Sequence, residues 1–527
     1  MRTHFLPYIA ACSLGALAWA CSSSPTTSKQ PPAEPSTKVD GGRETNSSDS
    51  QQSSGETDAG GSPDAGTVGS GSLVEYVPPS SGPEPWFEAI EPPAVHSAPN
   101  VVDAWHTRLE HVSDTGDAAI GSLSITSSAT QQSGRTLFYW TPEAGSVDIP
   151  LPEQLAGLDP KWLKAEALAV AASARKVVIR LTGHGTTNWY IWSEKDGSQL
   201  LSPGEDVYDI SVDLFSTNNE TFAGALRLND DRVLPFYALG TSVFRVSLGS
   251  HTTHTDASAI SHNASVIAGN TTIEARSRVY RWELNRGVSI LDLPDGYGDC
   301  WLSGNAMSDN GAVLTMTCSN DEWRHAFRWT RESDLELLET PAQADAFPTA
   351  ISADGSTVVG ELRQGSSGHV FVHHQDQALT ITPPGSLLSY PLWTRQSISA
   401  DGTVVLGQAQ DPEDNARGFF WSRELGAVSL LPLRGHSDTW VSSLSGDGLT
   451  IAGHSSQLVA GEMHAVSVIW RGGDKPLSIS SALEGAGLRS SGMTFEGSAQ
   501  VTRLGRHAWG TGTTPDGHHR AWIAHLP

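Results

Sequence analysis

The chain has 527 residues, 38% hydrophobic and 17% charged, with 52 Gly and 17 Trp, a profile poor in the Ala, Glu, Lys and Leu mixture that helical proteins use, so an all-β fold is expected. Its formal net charge is −25, and the seven carboxylates and four basic side chains of the first 72 residues leave −22 for the rest. A surface of that sign repels phosphate backbones and anionic head groups, which argues against nucleic acid as a partner and against direct adsorption to lipid.

In chain order, Arg2 and His4 precede the apolar run FLPYIAACSLGALAWA, which has the length of a signal-peptide core and is too short for a membrane-spanning helix. Residues 1–20 therefore read as an export segment. The run ends in LAWAC, which resembles the lipobox of bacterial lipoproteins. On that resemblance Cys21 is the lipidated residue and the new N-terminus, and Ser22 behind it permits transfer to the outer membrane. Ala18 and Trp19 stand where a Leu and a small residue are more usual, whereas IAAC at Cys12 fits locally but leaves too short a core. Cleavage near Ala20 with free secretion is the alternative. Residues 21–72, with SSSPTTSKQPPAEPS and DAGGSPDAG, have almost no aromatic or β-branched content and read as a disordered tether. A flexible coil of about fifty residues spans roughly 40 Å r.m.s..

Residues 73–527 carry one recurring pattern: an apolar residue and usually Ser, a Gly/Asp/Asn turn, a β run ending mostly in Gly, then aromatic-x-Trp. Clear copies are 112–121, 260–269, 351–360, 398–407 and 444–453, and degenerate ones 170–179, 215–224, 307–316 and 501–510. The regular spacing is that of one four-stranded propeller blade. Asp354-Gly355, Asp401-Gly402, Asp447-Gly448 and Asn310-Gly311 predict tight turns with positive φ between the first two strands. Pairs such as Tyr190 and Trp192, Tyr280 and Trp282, Phe327 and Trp329, and Phe419 and Trp421 share one face of a third strand and are expected to pack blade on blade. Runs such as VSILDLP (288–294) supply a fourth strand.

This arrangement resembles the extracellular HAF-repeat family, whose His-Ala-Phe signature stands here as His325-Ala326-Phe327 and, degraded, as His464-Ala465-Val466 and Arg520-Ala521-Trp522. The resemblance implies a repetitive exported β fold and carries over no assigned catalytic residues. The expected architecture is a β-propeller of eight or nine units. The last unit ends at RAWIAHLP without a fourth strand, which an N-terminal strand such as LVEYV (73–77) would supply.

Cys300 and Cys318 flank the turn Asp309-Asn310-Gly311 almost symmetrically and are expected to form a disulfide across that hairpin. Asp292, Asp295 and Asp299, and Asp411, Glu413 and Asp414, cluster on loops without the spacing of a Ca²⁺ loop and read as solvated turns. His251 and His254, His373 and His374, and His518 and His519 give no metal spacing, since adjacent strand residues point to opposite faces. No nucleophile elbow, HExxH or phosphate loop is present, and no cofactor is implied. The leading expectation is a cell-surface, lipid-anchored binding module for a protein or glycan, touching the membrane only through its anchor. The alternatives are an extracellular propeller hydrolase or lyase acting on a polymer, and an envelope structural protein.

Overall fold

The computed structural model describes residues 84–93 and 104–526, apart from 128–131, 159–162, 184, 217–220, 250–251, 341–342, 366, 375–376, 384, 387 and 393–394. All of these lie in the unit Thr67–Pro527. The export segment, Cys21, the tether, LVEYV and His251 lie outside the described residues.

The described chain is almost entirely antiparallel sheet, arranged as nine four-stranded blades. Blades 1 to 8 span residues 104–148, 164–200, 207–245, 252–290, 299–337, 345–381, 388–429 and 438–478; blade 9 combines 494–525 with Trp86–Ala89. Blades 1 and 2 share one sheet through a single parallel pairing of Arg135 with Lys164, and the first strand of blade 4 is broken in two. Each of the nine sequence copies falls on the first turn of one blade, so the count is nine. Ring closure uses an N-terminal strand as expected, but a different segment from LVEYV: Trp86–Ala89 pairs with His519–His525, Trp86 opposite His525. The single α-helix among the described residues, Ile479–Gly485, is too short to cross a membrane.

Blade 6 shows why the repeat has its sequence. Ser352 N–H donates to Thr357 O (2.9 Å) and Gly355 N–H to Ser352 O (3.0 Å), so four residues, not two, make the turn. Only Gly355 takes positive φ (80°); Asp354 does not, which corrects the two-residue hairpin. Asp354 instead acts through its carboxylate, accepting from Ser352 Oγ (2.6 Å) and Ser356 N–H (2.9 Å), while Ser352 Oγ accepts from Thr357 N–H (3.0 Å). The same bonds recur from Ser261, Ser308, Ser399 and Ser445.

Between the blades lie nine apolar clusters, one per joint, including blade 9 against blade 1. Within them the aromatic-x-Trp pairs are buried as expected, and they obey a stacking rule. The Trp of one blade lies against the middle residue of the preceding blade's run: Trp192 on Tyr139 (4.9 Å between rings), Trp282 on Tyr237 (4.6 Å) and Trp329 under the Arg281 guanidinium (5.1 Å). Each fully buried aromatic of this kind is worth about 1.5–3 kcal/mol relative to exposure.

Candidate functional site

The first strand of each blade is the innermost. First strands touch between blades 1 and 2, 2 and 3, 3 and 4, and 8 and 9, whereas fourth strands are short and more exposed, as in Asp334–Leu337. Where the first strands end, their turns join into a belt. His262 N–H donates to Asp309 O (2.7 Å), Asp309 N–H to Ala353 O (2.9 Å), Ala353 N–H to Ala400 O (3.0 Å), Ala400 N–H to Gly446 O (2.8 Å) and Gly446 N–H to Arg503 O (2.7 Å). Arg503, in blade 9, also reaches Asp309 of blade 5 (3.6 Å) and donates its N–H to Asp114 of blade 1 (3.2 Å). An ion pair between blades four places apart bridges the ring at the turn end.

On these inner strands, nine residues share one register position, opposite the residue that follows the repeat's closing position. In four successive blades the residue is aromatic: Trp301 opposite Thr317, Phe347 opposite Glu361, Tyr390 opposite Gln408 and Trp440 opposite His454. Around the rest of the ring it is polar or charged: Glu496, Arg108, Glu166, Ser211 and Asp256, the last placed by its backbone bond to Asn270. Tyr390 and Trp440 are each 37% exposed, although they stand on the innermost strands. Trp440 stacks on the His454 ring at 15° between planes, and burial pushes that imidazole down to about 4, so it is neutral near pH 7. Phe347 lies beneath the Arg363 guanidinium at 4.9 Å.

The opposite arc is held by its own counter-charges. Arg180 donates to Glu166 (2.6 Å) and lies 3.6 Å from Asp209, which also faces Arg227. Asp256 accepts from Asn270 N–H (2.8 Å) and Ser258 Oγ (2.7 Å). A general acid of a hydrolase needs a carboxyl that keeps its proton near neutrality. Among the described residues, the carboxyls displaced from their ordinary range (Asp117, Asp206, Asp230, Glu283, Asp354, Asp401, Asp411 and Asp516) are all displaced downward by hydrogen bonds or neighbouring positive charge. The arrangement is suited to holding a ligand against aromatic faces on one side and charge on the other.

Cys300 and Cys318 stand directly opposite each other in blade 5, buried, with Cα atoms 4.1 Å apart and sulfurs in bonding contact. Cys318 lies within the second strand, Val313–Ser319. Asp299 accepts from Ser277 N–H of blade 4 (2.6 Å), and Asp345 and Asp438 play the same part in their blades. Asp411 closes its own loop on Glu413 and Asn415 and pairs with Arg417. His373 is buried where other blades carry the Trp, His374 bonds Thr357 Oγ1 (2.7 Å), and the His519 ring lies tilted against that of His106. The structure brings none of these histidines and loop carboxylates together as a metal centre among the described residues. Sequence reading missed the aromatic arc, because its members lie outside the repeating pattern.

No family model matches the chain, and no curated protein matches its sequence. Solved structures are similar at the level of the fold. The dipeptidyl peptidase 4 of Porphyromonas gingivalis is 11% identical, with a TM-score of 0.48, over 77% of this chain and 64% of that one. The oligogalacturonate lyase of Vibrio parahaemolyticus is 10% identical, with a TM-score of 0.38, over 77% and 97%. The β-propeller domain of the Trilobed protease from Pyrococcus furiosus is 9% identical, with a TM-score of 0.34, over 62% and 99%. Against one prolyl endopeptidase this chain spans 55% of the other's length.

Proposed function

We propose that the chain is a binding module of the cell envelope, which holds a glycan chain against the aromatic arc of its inner strands and is kept at a membrane by lipid on Cys21. The observation that carries this reading is the run of Trp301, Phe347, Tyr390 and Trp440 on four successive blades. Exposed aromatic faces stack on the apolar faces of sugar rings, and the facing Arg108, Glu166 and Glu496 supply hydrogen bonds to hydroxyls. The His-Ala-Phe repeats and the LAWAC segment support an extracellular, anchored location for such a module.

The test is titration with soluble polysaccharides, neutral and anionic, followed by tryptophan fluorescence, with sized products analysed alongside. The expected result is saturable binding that Trp440→Ala or Tyr390→Ala weakens about fivefold to tenfold, the effect of losing one aromatic contact. Variants that bind like the parent, or polymer that comes back shortened, would overturn the reading. For the anchor, Cys21→Ser is expected to release the protein from membranes into the soluble fraction; unchanged retention would remove the lipid from the account.

A further inference from the structure

We infer that a cleft of about 430 Å³ on the turn side of blades 6, 7 and 8 is a second binding site, and that it takes a guanidinium group. The molecule carries its own template for that ligand. At the joint of blades 4 and 5, Arg281 is the middle residue of its aromatic-x-Trp run. Its guanidinium lies 5.1 Å over the Trp329 ring, donates to Gly311 O (3.0 Å) and pairs with Glu283. A planar cation there satisfies an aromatic face, the carbonyl of a turn glycine and a carboxylate together.

Two blades further on, the frame is repeated without the cation. Register makes Trp421 the counterpart of Trp329, and Val372 that of Arg281. Gly402 holds the place of Gly311, each at the positive-φ position of its turn. Val372 is the smallest side chain at this place in the ring, where neighbouring blades put Arg328 and Phe420, and the cleft opens beside the largely buried Trp421. Glu283 is replaced by His374, but Glu424 and Asp447 stand on the rim, while Arg423 is turned to Gln377 Oε1 (3.1 Å). The net rim charge is negative, the sign a guanidinium requires. An arginine side chain of a basic peptide and a free small guanidine share this chemistry. Nothing in the inference depends on the inner-strand arc.

The experiment is calorimetric titration of the full chain with N-acetyl-arginine amide, its uncharged isostere N-acetyl-citrulline amide, and a tri-arginine peptide. The expected result is saturable binding of the arginine amide and at least tenfold weaker binding of the citrulline compound. Tighter binding of the peptide than of the amide would assign the site to a basic peptide; equal binding would assign it to a single guanidinium. Val372→Arg with His374→Glu rebuilds the Arg281 arrangement and is expected to abolish binding with the circular dichroism unchanged. Should that double variant fail to fold, Glu424→Gln is expected to weaken binding about threefold to tenfold, with Trp440→Ala without effect. No binding of the arginine amide, equal binding of citrulline, or full binding by the filled or rim variant would overturn the inference.

Discussion

At the residue scale, the repeat is a packing device as much as a turn. The glycine of each turn rests on the preceding blade: a Cβ on Gly355 would sit 2.6 Å from Val313 Cγ2, and one on Gly402 2.4 Å from Thr357 Oγ1. Positive φ alone costs a non-glycine residue about 1 kcal/mol, and overpacking adds roughly 1–3 kcal/mol. Gly355→Ala is therefore expected to destabilise by about 2–4 kcal/mol. Gly426→Ala, at φ 68° with open space around it, is expected to cost only about 1 kcal/mol. Urea unfolding of the two variants checks the difference; equal losses would show that strain alone places glycine in these turns.

At the element scale, the second strand, the turn before it and the third strand were legible, because their residues serve every joint alike: Ser352 and Asp354 tie the turn, Phe419 and Trp421 fill the joint. The first strand was not. Its entry lengths differ, so Tyr390 stands nine residues before Ser399 while Trp440 stands five before Ser445, and no fixed spacing reveals that they share a level. The closing strand was misplaced for a related reason. LVEYV is the better β former, but Trp86–Ala89 has Trp86 to set against Trp140 and His507, and Glu88 to accept from Trp140 Nε1 (3.0 Å). In blade 5 the first strand is reduced to Asp299–Trp301, and the Cys300–Cys318 bridge fixes it to its neighbour next to Trp301. Closing a loop of that size is worth about 3 kcal/mol. Cys300→Ala with Cys318→Ala is expected to lower the unfolding free energy by about that amount and to weaken ligand binding at the arc. Denaturant titration and fluorescence binding measure the two effects, and a variant as stable as the parent would remove the bridge from the account.

At the scale of the whole molecule, nine joints are alike in kind, but only one is closed by residues from both ends of the chain. At that joint His507 is buried between Trp86 (5.7 Å), His525 (4.8 Å) and the turn of blade 1 at Gly116, and Nδ1 of both histidines is buried with no hydrogen-bond partner among the described residues. Burial, then His525 and Arg506, push His507 down to about 4, against a smaller opposing effect of Asp117; His525 is lowered by burial too. The unfolded chain takes up these protons near pH 6.5 and the folded ring does not, so stability is complete above about pH 6.5 and falls as the pH drops toward 4. For His507 the loss amounts to about 3 kcal/mol at most. His454 is pushed to about the same value but sits on the inner face of blade 8, away from the seam, and serves as the comparison. Hydrogen exchange at pH 4.5 is expected to show Trp86–Ala89 and His519–His525 opening ahead of the other blades. His507→Gln is expected to suppress that early opening and flatten the loss of stability between pH 6.5 and 4, whereas His454→Gln would flatten the loss without protecting the seam. Uniform exchange across all nine blades would show that acid does not act first where the two ends of the chain meet.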